Sequence, residues 1–343
     1  MTATPTQGTI RLPVKDEHGC FNIRLESIGG YGANIAGKML AEAGVLYQGL
    51  NGSNFSSYGS EKKGSPVKSF IRFAEPDTPI RVSAPIEEPH IVCIFHEALI
   101  RTQPVVDGLR PGGTVIVNTR KRPEEIRQML GVDDVTIGTF DATTIAVETG
   151  SRVNMAVLGA IARAAQFLDP EAIKALIVDT FSKKYPHTVP GNLRCFDRGY
   201  EEIEFQYFGP SPDAGTGRGR PSAAAYGYLN MPIGGVIPNP GNMALKDLSA
   251  SRQGFLPAFD REKCIDCAQC DLVCPDFCFV WEQGVDKRGR PAMVLKGINY
   301  QYCKGCLKCV EACPVDALWE IREQDGWAEA HTVRHSDLLT VGR

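Results

Sequence analysis

Lys263-Cys264-Ile265-Asp266-Cys267-Ala268-Gln269-Cys270, followed by Cys274-Pro275, is matched by Tyr302-Cys303-Lys304-Gly305-Cys306-Leu307-Lys308-Cys309, followed by Cys313-Pro314. The second copy lies 39 residues after the first, so one small unit is built twice with internal pseudo-symmetry. Nine of the 12 cysteines fall between Cys264 and Cys313, while Cys20, Cys93 and Cys195 are scattered. A disulfide framework belongs to short exported chains. This chain has 343 residues and opens Met1-Thr2-Ala3-Thr4-Pro5, without the basic and apolar regions of a secretory signal. The clustered cysteines therefore read as metal sites.

Each copy follows C-x2-C-x2-C-x3-C-P, the spacing of bacterial two-cluster ferredoxins. Three thiolates two residues apart wrap three corners of one cubane. The fourth is carried off at the start of a helix, where the following proline needs no N–H, and so reaches the other cluster. This predicts two 4Fe-4S clusters, one on Cys264, Cys267, Cys270 and Cys313, the other on Cys303, Cys306, Cys309 and Cys274. Structural zinc sites pair two separate knuckles and give a third cysteine at this spacing no task. Cys278, four residues after Cys274, reads either as an extra ligand or, preferably, as a packed apolar thiol. Cubanes closed by cysteine pass single electrons rather than bind substrate. Lys304 and Lys308 would raise the potential of the second cluster, dock an anionic carrier, or simply face solvent.

The chain as a whole is nearly neutral. It carries 37 Lys and Arg against 40 Asp and Glu, which argues against a nucleic-acid partner. No apolar run reaches the ~18–20 residues that span a bilayer, and a cytoplasmic location is expected. The segment 209–257 holds 16 Gly or Pro among 49 residues, which cannot sustain a helix or central strand. Met231, Ile233, Val236, Ile237, Met243, Leu245 and Leu248 make it apolar for a free tether, so an ordered, extended strap is expected. The predicted domains are 1–208, α/β; 209–257, the strap; and 258–343, a small α+β two-cluster ferredoxin domain.

The first domain reads as a mostly parallel sheet covered on both faces. Phe21, Ile23 and Leu25 alternate with polar residues and lead through Ile28 into Gly29-Gly30-Tyr31-Gly32. Ile35, Met39 and Ala43, with Ala36 and Leu40, then form a helical face expected to stop at Gly44. Val67–Phe73, Ile91–Phe95 and Thr114–Val117 read as strands, and Met155–Leu168 and Glu171–Phe181 as helices, the latter capped by Asp169-Pro170. The glycine-rich turn opens a helix, where backbone N–H groups can hold an anion or glycines merely allow close packing. It is not G-x-G-x-x-G. A near P-loop over Gly32–Met39 has Met39 where the magnesium-binding hydroxyl belongs. The loop Tyr58-Gly59-Ser60-Glu61-Lys62-Lys63-Gly64-Ser65-Pro66 should lie at a sheet end, where Tyr58, Glu61 and Lys63 meet a ligand, a partner or solvent. None of the six histidines suggests a triad or metal site, and no nucleophile arrangement is present.

Together these residues resemble a known family. Gly29-Gly30-Tyr31-Gly32, the Tyr58–Gly64 loop and Asn154-Met155-Ala156-Val157-Leu158-Gly159 are similar to the gamma subunit of 2-oxoacid:ferredoxin oxidoreductases of the pyruvate type. Tyr302-Cys303-Lys304-Gly305-Cys306 and the double motif resemble the delta subunit, here fused to the first. The family's first turn usually has Gly and Gln where this chain has Ser27 and Tyr31, and Arg-Gly-Gly where it has Lys63-Gly64-Ser65. The resemblance implies oxidative decarboxylation of a 2-oxoacid such as pyruvate, with coenzyme A as co-substrate, giving acyl-CoA and CO2. It implies thiamine diphosphate with Mg2+ on alpha and beta partner subunits, and ferredoxin or flavodoxin as acceptor. The cofactor-facing residues would be Gly29, Gly30, Tyr31, Gly32, Tyr58, Glu61 and Lys63. With no Gly-Asp-Gly thiamine signature, this chain would carry no catalytic residue. Rival readings are a free-standing dicluster carrier with an α/β docking domain, a zinc-stabilised interaction protein, and an oxalate, 2-oxoglutarate, branched-chain or arylglyoxylate member of the same family.

Overall fold

The structure, a computed structural model, describes residues 11–58, 65–210, 234, 247–252, 254–286 and 288–335. They divide into two compact units between residues 223 and 224.

The first unit is an α/β layer structure. Its elements are β1 (Cys20–Ile28), α1 (Ala33–Leu46), β2 (Asn51–Tyr58), β3 (Pro66–Ala74), β4 (Ile91–Ile94), α2 (Leu99–Thr102), β5 (Thr114–Asn118), α3 (Pro123–Leu130), β6 (Val135–Phe140), α4 (Ala142–Thr149), α5 (Val153–Ala164), α6 (Pro170–Phe181), α7 (Val189–Glu201) and β7 (Glu204–Phe208). The strands form one sheet in the order β2-β3-β1-β4-β5-β6-β7. β1, β4, β5 and β6 run parallel, β2 shares their direction across the antiparallel β3, and β7 is antiparallel at the far edge. The sheet is thus mostly parallel, as the alternation of strands and helices predicted. Connections leave β1 towards one edge and β4 towards the other, so a switch point lies between β1 and β4. Ligands of such sheets bind outside the carboxyl ends of the strands there.

Local chemistry places the helices. Asp169 Oδ1 accepts from Glu171 N–H at 2.9 Å and Pro170 occupies the first turn of α6. Helix α5 is buried almost all round and crosses α7 so closely that a Cβ on Gly159 would lie 2.1 Å from the Phe196 carbonyl. The core face of the sheet packs Phe21, Ile23, Leu25, Ile71, Phe73, Cys93 and Ile116 against α1, α5 and α6. Two local expectations change. Ile35 is 53% exposed, and the buried stripe of α1 is Ala36, Met39, Leu40 and Ala43. Gly44 does not stop the helix but lies inside it, where a Cβ would meet the Phe73 ring at 2.5 Å.

β1 is buried on both faces, its polar residues included. On the second face Glu26 pairs with Arg24 Nε at 2.8 Å and Lys68 Nζ at 3.2 Å. Nearby, His90 Nδ1 accepts from the Asn22 N–H at 3.0 Å while its ring stacks on Phe21. Burial, reinforced by the Arg110 charge, pulls the His90 imidazole down to about 4. Its folded pKa lies below its unfolded value, so unfolding takes up a proton on acidification. Stability should fall as pH drops from about 6.5 towards about 4. Melting temperatures across that window test this, and a His90→Phe variant should flatten that part of the profile.

The second unit contains two antiparallel pairs: Phe255–Phe259 (β8) with Leu318–Arg322, and Phe279–Val285 with Pro291–Ile298. β8 includes Phe255, Leu256 and Pro257, so a domain boundary at 258 falls inside a strand. Leu248 N–H also bonds the Gln301 carbonyl at 2.8 Å, which ties the end of the strap into this unit. Strap residues 211–233 and 235–246 lie outside the described residues. No helix among the described residues is long and apolar enough to cross a membrane.

Candidate functional site

All 12 cysteines are unbridged. In the second unit the 39-residue repeat recurs in the backbone. Asp266 and Gly305 have φ 54° and 70°, Ala268 and Leu307 58° and 59°, and Phe277 and Asp316 52° and 50°. Left-handed backbone at non-glycine residues costs of order 1–2 kcal/mol each and clusters where a site demands it. Here it turns the cysteine loops so that short helices, Gln269–Val273 and Lys308–Glu311, begin one residue before the third cysteine of each run.

The loops enclose two cavities. Cys303, Cys306 and Cys309 line one together with Cys274 and Cys278; Cys264, Cys267 and Cys270 line the other together with Cys313. Their empty volumes, about 350 and 320 Å³, are nearly equal, as two copies of one occupant require. Most of the remaining lining is apolar: Phe259, Ile265, Trp281 and Leu295 in one, Pro257, Phe279, Ile298 and Leu307 in the other. Backbone donors point at the sulfurs. Asp266 N–H meets Cys264 Sγ at 3.4 Å and Ala317 N–H meets Cys313 Sγ at 3.3 Å. Their repeat counterparts Gly305 and Cys278 donate to Cys303 and Cys274. Burial pushes the Cys264 and Cys309 thiols up, and Cys270 up to about 12; binding a metal through such thiols releases their protons to solvent. Soft sulfur donors, at least four per cavity and supported by N–H groups, fit an iron–sulfur cubane. Cys267 and Cys306, the middle members of the two runs, are the exposed corners.

Two clamps hold the loops. Arg261 grips the Asp266 carboxylate, which also accepts from Leu295 N–H at 2.9 Å. Arg252 donates to the Cys303 carbonyl at 3.0 Å and to Glu323 at 2.6 Å. Arg252 had no motif to announce it, because its partners lie 51 and 71 residues away.

In the first unit the turn Gly29-Gly30-Tyr31-Gly32 lies at the carboxyl end of β1, beside the switch point. Gly32 takes φ 83°, and a Cβ there would come within 2.9 Å of Asn154. Asn154 is buried at 2% exposure, and its Oδ1 has no hydrogen-bond partner among the described residues. Tyr31 makes an edge contact with the His96 ring, at 5.7 Å between centroids. Burial lowers the His96 pKa, keeping the ring neutral. Tyr58 joins the same end through Asn34, whose Nδ2 donates to Tyr58 Oη at 3.5 Å while its Oδ1 accepts from Ser56 Oγ at 2.8 Å. The fold therefore brings Gly29, Gly30, Tyr31, Gly32 and Tyr58 to one sheet end, and Glu61 and Lys63 lie outside the described residues. His96 and Asn34 join them with no spacing signal, since tertiary packing alone brings them there.

Comparison with known proteins agrees with both halves. Residues 22–202 match the model of the pyruvate ferredoxin/flavodoxin oxidoreductase family, and residues 256–315 that of a 4Fe-4S dicluster domain. The pyruvate/ketoisovalerate oxidoreductases common subunit gamma of Thermococcus litoralis is 40% identical over 162 residues, covering 47% of this chain and 86% of that protein. Pyruvate synthase subunit PorC of Thermotoga maritima is 37% identical over 196 residues, covering 56% of this chain and 98% of that one. Subunit PorD of the same organism is 42% identical over 91 residues, covering 26% of this chain and 82% of its own length. Two polypeptides of the Thermotoga enzyme thus have their likenesses in one polypeptide here, gamma-type first and dicluster-type second. The chain belongs to the pyruvate ferredoxin/flavodoxin oxidoreductase family.

Proposed function

We propose that this polypeptide is the fused gamma and delta subunit of a 2-oxoacid:ferredoxin oxidoreductase and carries electrons away from an active site held by alpha and beta partners. The carrying observation is the crossed lining of the two cavities, Cys274 with Cys303, Cys306 and Cys309, and Cys313 with Cys264, Cys267 and Cys270. On this reading each set of four holds one 4Fe-4S cluster, which supplies one-electron storage. The chain's own residues then fix the sulfurs, exclude water with the apolar lining, and expose Cys267 and Cys306 as the corners through which electrons enter and leave. Ferredoxin or flavodoxin is the proposed acceptor.

The reaction served is oxidative decarboxylation of a 2-oxoacid such as pyruvate, with thiamine diphosphate and Mg2+ on the partners. The Gly29–Gly32 turn with Tyr58, Glu61 and Lys63 is assigned to the coenzyme A side of the cavity, where the N-terminal end of α1 suits an anion. The substrate is left to the partners. A gamma subunit described as common to pyruvate and ketoisovalerate oxidoreductases favours that division of labour. Anaerobic purification of the tagged chain should give a brown protein with about eight irons, four per cubane. Thiamine-binding partners should co-purify, and the complex should reduce an artificial acceptor when given a 2-oxoacid. A colourless, zinc-loaded chain would sink the cluster reading. A brown chain that is stable alone and captures no partner would favour the free-standing carrier instead.

A further inference from the structure

The two cavities share one backbone plan and differ in a single sulfur. Cys278 lines one, and 39 residues on, Ala317 occupies the equivalent place in the other. Their main chains behave alike. The Cys278 carbonyl accepts from Asn299 N–H at 2.7 Å, and the Ala317 carbonyl accepts from Asp260 N–H at 2.9 Å, again residues 39 apart. What differs is the side chain, a methyl at 317 and at 278 a thiol, buried at 4% exposure, that meets the sulfurs of both Cys274 and Cys303.

A cubane offers four iron corners, and four other cysteines line this cavity already, so the fifth sulfur has no iron to bind. It retains its S–H, a weak donor, with ligand sulfurs as the acceptors beside it. Two lysines, Lys304 and Lys308, also line this cavity. Lys304 replaces Ile265 across the repeat, but its Nζ lies 3.2 Å from the Asp276 carboxylate, itself 2% exposed at the side chain, so its charge is offset locally.

We propose that Cys278 donates its S–H to the ligand sulfurs of the centre held by Cys274, Cys303, Cys306 and Cys309 and makes that centre the more easily reduced of the two. This rests on the cluster reading above. Adding an electron increases the negative charge on the ligand sulfurs, so a donor there stabilises the reduced state more than the oxidised one. One electron then passes from the Cys264 centre, which is oxidised, to the Cys303 centre, which is reduced, with no bond or proton moved. The 2-oxoacid is the ultimate reductant. A repeat that looks symmetric in sequence thereby acquires a direction.

The test is an anaerobic redox titration of the full chain, followed by electron paramagnetic resonance. Cys278→Ala should keep about eight irons and lower the higher of the two midpoint potentials. The expected shift in its reduction equilibrium is roughly three- to tenfold, tenfold being 59 mV for one electron. Cys278→Ser, which keeps a donor, should restore most of it. Ala317→Cys should raise the lower potential and narrow the gap. Unchanged potentials in Cys278→Ala with full iron would overturn the proposal alone, as would loss of half the iron, which would make Cys278 a ligand. Absence of iron from the unsubstituted chain would instead overturn the cluster reading.

Discussion

Cys306→Ala should remove about half of the chain's iron, from about eight to about four, and abolish acceptor reduction by the assembled enzyme. Cys306 lines its cavity with Cys303, Cys309 and Cys274 and is exposed, so its loss opens one corner of one centre directly to solvent. The other cavity draws none of its lining cysteines from this set and should keep its cluster. The first unit should melt unchanged, since its core of β1, α1, α5 and α6 residues contains no cysteine of either run. Chemistry on the partners should survive, so 2-oxoacid would still be consumed in a single half-reaction that cannot turn over. Iron assay, thermal melting and steady-state acceptor reduction separate these effects. Eight irons retained, or full acceptor reduction, would refute the ligand assignment.

The cysteine runs were legible because their determinants are local: ligands two or three residues apart, repeated once at a fixed offset. The Gly29–Gly32 turn was legible for the same reason, as a strand pattern running into glycines. β2 was not. Asn51-Gly52-Ser53-Asn54-Phe55-Ser56-Ser57-Tyr58 has neither alternation nor β-branched residues, and it becomes a strand because β3 supplies an eight-residue pairing partner. The strand before the first cysteine run was hidden for a related reason. Phe255–Phe259 looks like the end of a Pro-containing strap until Leu318–Arg322, some 60 residues later, pairs with it. Ile35 and Ala36 are adjacent in sequence, and only the packing of α1 on the sheet decides which turns inward. A sheet covered on both faces was expected, but the alternation along β1 does not say that Asn22, Arg24 and Glu26 are what fills the second face, all buried. No sequence pattern announces a second buried face made of charges.

That charged face makes Arg24→Ala the substitution with the largest expected cost to the first unit. Arg24 is 4% exposed. Its Nη2 donates to the carbonyls of Val105 at 3.0 Å and Asp107 at 2.8 Å, and its Nη1 to that of Ile86 at 3.3 Å. The side chain therefore pins two covering segments to the sheet besides pairing with Glu26. Truncating one member of a buried pair strands the other charge, at a cost of about 3–5 kcal/mol. For a unit of this size that lowers the melting temperature by about 6–20 °C. Desolvation raises the Glu26 pKa, with Lys68 and then Arg24 opposing it. Losing Arg24 raises it further, so the folded variant holds the carboxyl proton more tightly than the unfolded chain. A raised folded pKa favours the folded state at low pH and loses that advantage as pH climbs through it. The deficit of Arg24→Ala against the parent should accordingly shrink as pH falls from 8 towards about 5. Replacing the pair by apolar residues of similar volume, Arg24→Met with Glu26→Leu, should recover most of the loss, because Lys68, 31% exposed at the side chain, keeps access to solvent. A single variant that melts within about 1 kcal/mol of the parent at pH 8 would show that the pair contributes little. A double variant as unstable as the single one would shift the cause to the carbonyls that Arg24 leaves behind. Either way β1 carries the Gly29–Gly32 turn, which begins three residues beyond Glu26, so the position of that turn should depend on the stability of this face.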